Sequence, residues 1–170
     1  MRISLSNCDI RSWRPADAPA IVEHLNNQNV LKTLADRVPH PYTLRDAQQF
    51  IRKSLDDSEE LSFAISVEDT AVGAIGIRFV QPENPHAAEI GYWLGEAYWR
   101  RGIATQALHA TTEYTFKTFD IARIQAHVFD GNIASMRVLE KCGYTREGFL
   151  RKSSLKAGQL VDQYLYAIVR

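Results

Sequence analysis

The stretch "YWRRGIATQAL" at residues 98–108 sets two arginines and a glycine directly before an apolar-periodic run. A helix start leaves its first N–H groups unpaired and carries the positive end of the helix dipole, so it suits a phosphate. Gly102 lets a ligand approach the backbone closely, Ala104 keeps the next turn low, and Arg100 and Arg101 add positive charge. A plain strand-to-helix turn with solvated arginines fits the same residues. The stretch lacks the Gly-Lys-Ser/Thr of a Walker loop and the second and third glycines of a dinucleotide fingerprint. A second chemical feature is Glu89, which shares a strand face with Gly91 and Trp93 in "AAEIGYWL" (87–94). A carboxylate in a central strand is costly unless it is paired or functional. Partial desolvation raises a carboxyl pKa, which suits a general base. A structural glutamate bonded to a neighbouring arginine or backbone group is the other reading. Asn132 and Ser135 form a third feature, where Asn132 caps a helix start and Ser135 supplies a hydroxyl in its first turn. Cys142, with no base apparent nearby, reads as a small buried apolar residue and not as a nucleophile. The five histidines share no metal spacing.

Periodicity supplies the elements that position these residues. A first strand is expected at 8–13, a helix at about 16–26 (Ile21, Val22, Leu25) and a short helix at 28–34. The two prolines of 37–43 make that segment a loop. Thr43 and Asp46 form a capping-box-like start to a helix running to about 56. Alternation predicts a hairpin over 61–80 with its turn at Glu68 and Asp69, a loop at 81–86, and a strand at 87–94. A helix over 102–118 follows, with Ile103, Ala104, Ala107, Leu108, Thr111 and Tyr114 on one face. Then come a strand at 122–129, a helix from Asn132 to about 142 ended by Gly143, and a hairpin of 144–155 and 160–169 around Ala157-Gly158. The strand–helix–strand unit at 87–129 is expected to be parallel and right-handed.

Bulk properties narrow the function classes. The 170 residues suffice for one domain with a sizeable core, and 45% are hydrophobic, as in a folded chain. Twenty Lys+Arg balance twenty Asp+Glu, which disfavours general nucleic-acid binding. Apolar runs are too short to span a membrane, "MRISLSNCDI" has no secretory core, and Cys8 and Cys142 lack metal or redox spacing, so a cytoplasmic location is the expectation.

With the elements in place, "AEIGYWL" and "YWRRGIATQAL", followed by "NIASMRVLEKCGY", resemble the GNAT superfamily of acyl-CoA-dependent N-acyltransferases. Within it, the Rim-type (RimJ/RimL-like) ribosomal-protein N-terminal acetyltransferases are the most similar branch. The likeness runs from "IRSWRPADAPAI" through "PHPYTLRDAQQFI" to the terminal hairpin, with 87–144 its specific part. The superfamily signature Gln/Arg-x-x-Gly-x-Gly/Ala is matched as Gly102-Ile103-Ala104, while Trp99 stands where Gln or Arg is usual, as in the Rim-like branch.

The resemblance implies a single α/β (α+β) domain over 1–170, with a mixed, mostly antiparallel twisted sheet flanked by helices. It implies acetyl-CoA as co-substrate, no metal, and direct transfer to a primary amine. Trp93, Leu94, Arg100, Arg101, Gly102, Ile103, Ala104, Thr105 and Asn132 would then meet the coenzyme, with the N–H groups of Arg101 to Thr105 on its pyrophosphate. Glu89 would serve as base. Many members carry a tyrosine acid just before the "EK" of the last helix; Leu139 stands there, and Ser135 is the branch's alternative for the leaving thiolate. His40 and Tyr42 in the "PHPY" loop read first as plain loop residues, with contact to the acceptor as the alternative, and Asp162 would be either structural or a contact of the acceptor amine. The implied partner is an amine acceptor, favoured as a protein N-terminus, without nucleic acid or membrane and with room for a homodimer. Two alternatives stay open: a small-molecule amine such as a polyamine or antibiotic, and a non-catalytic acyl-CoA sensor.

Overall fold

Period-two alternation in the strands and a three-to-four-residue period in the helices sort the apolar residues onto two faces of one sheet. The computed structural model describes residues 2–57, 60–81 and 84–170, with only the backbone described for Val80 and Gln81. Its strands are β1 (Arg2–Ser4), β2 (Asp9–Arg11), β3 (Glu60–Val67), β4 (Thr70–Gln81), β5 (Asn84–Leu94), β6 (Arg123–Phe129), β7 (Thr145–Lys156) and β8 (Gln159–Val169). Its helices are α1 (Ala18–Leu25), α2 (Gln28–Leu31), α3 (Leu44–Asp56), α4 (Ile103–Thr118) and α5 (Ile133–Lys141).

The strands make an eight-stranded sheet of order β1-β2-β3-β4-β5-β6-β8-β7. Every adjacent pair is antiparallel except β5 and β6, which are parallel, as the βαβ reading expects. On one face, Ile103, Ala107 and Leu108 of α4 and Met136 and Leu139 of α5 bury against Ile75, Ile77, Ile90, Ile124 and Val128. On the other, Ile21 and Leu25 of α1 and Ala47 and Ile51 of α3 bury against Trp13, Ala64 and Ala74. At about 25 cal/mol per Å² of apolar surface, these two layers supply the main driving force for folding.

Local chemistry sets several boundaries where they were expected. Thr43 and Asp46 form a reciprocal capping box, with Asp46 N donating to Thr43 Oγ1 at 3.2 Å and Thr43 N to Asp46 Oδ2 at 2.8 Å. The helix it opens runs over Leu44–Asp56. Gly143 ends α5 at φ 84°, and Ala157 and Gly158 turn β7 into β8 at φ 49° and 76°.

The structure corrects other boundaries. Strand β1 was not expected, because three mostly polar residues show no alternation; it exists by pairing Ile3 with Ile10. The loop expected at 81–86 is largely strand, since Gln81 ends β4 and Asn84, Pro85 and His86 begin β5. Pro82 and Glu83 lie outside the described residues. Pro85 is tolerated because β6 first pairs with β5 at Ala87, so nothing on that side needs its missing N–H. On α4, Ala104 and Tyr114 are only half-buried, and Thr112 and Thr115 take the buried positions. Of the acidic run 56–60, Asp56 ends α3 and Glu60 opens β3, while Ser58 and Glu59 are outside the described residues.

Candidate active site

The parallel pairing of β5 and β6 covers Ala87↔Arg123, Ala88↔Ile124 and Glu89↔Gln125 and goes no further. Beyond Glu89 the two strands diverge, so β5 from Ile90 to Leu94 and β6 from Ala126 to Phe129 form the arms of a fork. One arm leads to the loop before α4, and the other leads to the start of α5.

That first loop is fastened on several sides. Gly95 N donates to Val72 O at 2.8 Å, and a Cβ on Gly95 would meet His24 Nδ1 at 2.5 Å, so only glycine fits. Asn27 and Asn29 of the α2 start donate to the Glu96 carboxylate at 2.7 and 2.8 Å. Trp99 Nε1 donates to Leu94 O at 2.7 Å. The tryptophan that departs from the family signature is therefore a staple, closing the loop onto the strand that feeds it. Asn7 Nδ2 holds the Arg101 carbonyl at 2.8 Å.

Arg100 (φ 61°) and Gly102 (φ 75°) are both left-handed, and no side chain caps α4 at its Gly102 N-cap. Such alternation of backbone conformations turns successive N–H groups toward one point, which is an anion-binding geometry. A Cβ on Gly102 would meet only Asn7 Nδ2, at 3.8 Å, so the approach to the backbone is open. Arg100 and Arg101 are exposed, and Arg101 lies over the Tyr98 ring at 5.2 Å. Leu94 and Ile103 bury their side chains in the core, which leaves their backbone for any ligand. Trp93 lies half-buried on the α1/α3 face of the sheet.

Glu89, at the root of the fork, lies 3.0 Å from Arg78 Nη2 on β4 and 3.5 Å from His127 Nδ1 on β6. Arg78 is its cross-strand partner. Burial pushes the Glu89 carboxyl up, but the His127 contact and the Arg78 charge outweigh it and hold the group below its usual value. The expected upward shift is thus reversed, because desolvation was legible in the strand and the contacts with Arg78 and His127 were not. Gly91, two residues on, is exposed, and a Cβ there would meet nothing within 4 Å.

On the other arm, Asn132 Oδ1 caps α5 by accepting from Ser135 N at 3.2 Å. Ser135 Oγ is 2.9 Å from the Tyr92 hydroxyl, which also reaches Ser135 O at 3.3 Å. The Tyr92 ring packs with the α4/α5 layer. The contact of its hydroxyl with Ser135 is one that periodicity did not reveal. Leu139, at the usual tyrosine position, is fully buried.

The other candidates lie elsewhere. Cys142 is buried and donates to Thr105 O at 3.3 Å; burial pushes its thiol up to about 11, away from nucleophilic chemistry. Tyr42 belongs to the α1/α3 core, and burial pushes its phenol up to about 12, while His40 is exposed beside Gln28. Asp162 Oδ1 accepts from Lys152 N at 2.7 Å, where β7 carries extra residues between Leu150 and Ser154. It therefore fastens a bulge. A surface cavity of about 540 Å³ runs along α4 from Thr105 to Lys117 and is lined by neither Glu89 nor Ser135. Among the described residues, no group of three or more His, Cys, Asp or Glu could hold a metal ion, and no helix is long and apolar enough to cross a membrane.

Comparison with known proteins bears on this geometry. Residues 8–145 match the profile of the family described as the acetyltransferase (GNAT) domain. The chain is 34% identical over 170 residues to the uncharacterized N-acetyltransferase YnaD of Bacillus subtilis (strain 168), covering 99% of this chain and 97% of the relative. It is 32% identical over 105 residues to the ribosomal-protein-serine acetyltransferase of Escherichia coli (strain K12), covering 62% of this chain and 58% of the relative. The solved structure of the microcin C7 self immunity acetyltransferase MccE, in complex with acetyl-CoA and AMP, superposes with a TM-score of 0.86. It is 25% identical and covers 98% of this chain and 94% of that one.

Proposed function

Because the chain belongs to the GNAT family and is an acetyl-CoA-dependent N-acyltransferase, we propose that its acceptor is the α-amine of a protein N-terminus, as in the Rim-type branch. Acetyl-CoA supplies the activated acetyl group as a thioester. The uncapped, glycine-opened start of α4 fits its pyrophosphate: N–H groups from Arg101 to Thr105 face an open approach, with Arg100 and Arg101 adding charge. The free arms of the fork offer unpaired strand edges to an amide-bearing arm, and Asn132, whose Oδ1 is used in capping, retains its Nδ2 for the same ligand. Ser135, backed by Tyr92, stands where a leaving thiolate needs a hydrogen-bond donor. The acceptor amine approaches over Gly91, beside the negative charge of Glu89.

The observation that carries the acceptor assignment is the sparse, partly neutralised charge at the root of the fork. Strands β4, β5 and β6 contribute one carboxylate among them, Glu89, and Arg78 already pairs with it. A polyamine selects an acidic lining, which this face does not offer. A simple α-amine is also the easier nucleophile, since roughly one in ten is neutral at pH 7, against about one in 2,500 for a lysine-like amine. That difference is about 3.5 kcal/mol that the enzyme need not supply. The name of the E. coli relative, a ribosomal-protein-serine acetyltransferase, supports the same acceptor class.

The test is a competition for acetyl-CoA between a lysine-free peptide with a free N-terminus and the same peptide N-terminally blocked and given one lysine. The free N-terminus is expected to react with the higher kcat/KM. A higher value for the blocked lysine peptide or for spermidine overturns the assignment in favour of a side-chain or small-molecule amine. Coenzyme binding with no thiol release from any amine identifies a sensor.

A further inference from the structure

Glu89 and His127 form an unequal pair. The carboxylate has two neighbours, the Arg78 guanidinium at 3.0 Å and the His127 imidazole at 3.5 Å, whereas the imidazole has one partner, Glu89, on its Nδ1. Among the described residues, His127 Nε2 has none. His127 sits on β6 two residues past the last β5–β6 rung, where the strands part. Its side chain is 27% exposed, about as open as that of Glu89 at 25%, and the neighbouring face above Gly91 is uncovered. We propose that His127, not Glu89, is the catalytic base: its Nε2 takes the proton from the acceptor ammonium, and Glu89 is a positioning residue on Nδ1. This rests on the reading above that the fork is the acyl-transfer site.

Two physical arguments favour this division. A carboxylate held down by a guanidinium and an imidazole stays ionised at neutral pH and is a weak base there. Imidazole is the side chain that exchanges protons in that range. A carboxylate on Nδ1 also fixes the tautomer that leaves the Nε2 lone pair free, and it stabilises the imidazolium once formed. A separation of 3.5 Å is long for a hydrogen bond, but such contacts commonly tighten when substrate binds. The charged groups reaching this face are Glu89 from β5, Arg78 from β4, and the Arg123–Glu147 pair. Arg123 contacts Gln125, which separates that pair from His127 along β6. From β8 the register partners are Leu165, Gln163 and Ala167, none titratable.

The step balances as follows. One proton passes from the ammonium to His127 Nε2, and the neutral amine forms a bond to the thioester carbonyl carbon. The carbon–sulfur bond breaks, the second nitrogen proton goes to the departing thiolate, and the imidazolium returns the first proton to solvent. The products are the N-acetyl amine, coenzyme A thiol and one proton.

The experiment measures kcat, the KM for acetyl-CoA and the pH dependence of kcat for His127→Gln, His127→Ala and Glu89→Gln with a peptide acceptor. The His127→Gln enzyme is expected to lose about 100-fold in kcat at pH 7 with its acetyl-CoA KM unchanged, within the usual range for a missing general base. Its rate then rises with the free amine's own ionisation, and added imidazole restores part of the His127→Ala rate. The Glu89→Gln enzyme keeps an acidic limb, because its imidazole is intact. A His127→Gln enzyme within twofold of the parent, with the parental limb, overturns the inference. If Glu89→Gln then loses that limb, Glu89 is the base and the proposed function stands. If neither variant alters rate or profile, the assignment of the fork as the reaction site falls as well.

Discussion

The Tyr92 hydroxyl lies 2.9 Å from Ser135 Oγ and 3.3 Å from Ser135 O, joining the free arm of β5 to the first turn of α5. Burial pushes the Tyr92 phenol up, so it stays protonated and remains a donor. When it donates to Ser135 Oγ, the serine O–H is freed to donate elsewhere, on the proposed function to the leaving thiolate, and hydrogen bonds in a chain strengthen one another. The two residues are therefore expected to act as one unit. Ser135→Ala should lower kcat about tenfold, roughly 1.4 kcal/mol. Tyr92→Phe should lower it somewhat less, and the double variant no more than Ser135→Ala alone. Steady-state kinetics of the three variants, read as a double-mutant cycle, decide this; additive losses would mean that Tyr92 only packs.

A valine at Gly102 is expected to weaken coenzyme A binding at least tenfold, because its branched side chain fills the approach to the helix start. Gly102 is left-handed (φ 75°), so the substitution also strains the backbone, by about 1–2 kcal/mol. Gly158 in the β7–β8 turn has nearly the same angle (φ 76°) and nothing within 4 Å of a Cβ, which makes Gly158→Val the matched control for strain. Titration calorimetry with coenzyme A should show the affinity loss in the Gly102 variant and not in the control. Equal affinities in the two folded variants would remove the cradle from this loop.

The Glu89 cluster has a stability signature with a definite sign. Its carboxyl is held below the unfolded value of 4.5, so the folded state favours the ionised form. That stabilisation is complete above about pH 4.5 and is lost as pH falls through the folded value. The parent should therefore exceed Glu89→Gln in denaturant-measured stability at pH 5, where the carboxyl is ionised. The margin should narrow below about pH 4.5 as the parent's carboxyl protonates. A margin that does not shrink as pH falls below about 4.5 would contradict the pairing with Arg78 and His127.

Away from the fork, Arg11 and Asp17 form a buried two-pronged pair, 2.8 Å on each prong, with side chains 3% and 7% exposed. Asp17 also accepts from Arg14 N at 2.8 Å, which ties β2 to the turn before α1. Asp17→Asn should cost about 3 kcal/mol, because it leaves the buried guanidinium with only the Asp69 carbonyl at 2.9 Å and the Asp69 carboxylate at 3.8 Å. Thermal unfolding should show the loss, while the acetyl-CoA KM of the folded enzyme stays at the parental value. A change below 1 kcal/mol would mean that water reaches Arg11.

Much of this architecture was legible because it is local. The Thr43–Asp46 box, the glycine stop at Gly143 and the Ala157-Gly158 turn depend on a few consecutive residues and on backbone conformations that those residues favour. The start of α4 was legible for the same reason, since glycine, arginines and an apolar helical period adjoin one another in the chain. Even there, the fastening of the loop by Trp99, Asn7 and Asn27 came from contacts that periodicity does not encode.

The sequence by itself determined the order of elements from β2 onward and the parallel β5–α4–β6 unit, and it singled out Arg100, Arg101 and Gly102 as candidates to hold a phosphate. Tertiary structure alone decided which groups meet. Glu89 is paired because the β4–β5 register sets Arg78 opposite it and because β6 brings in His127 from 38 positions away. Tyr92 turns from core residue to site residue because β5 and β6 separate after Glu89, which sets its hydroxyl against α5. Asp162 meets Lys152 only because β7 bulges there. Propensity and capping act over a few residues, whereas register, divergence and bulges are set by the packing of the whole sheet. Protonation follows these long-range neighbours, which is why the downward shift of Glu89 could not be read along the chain.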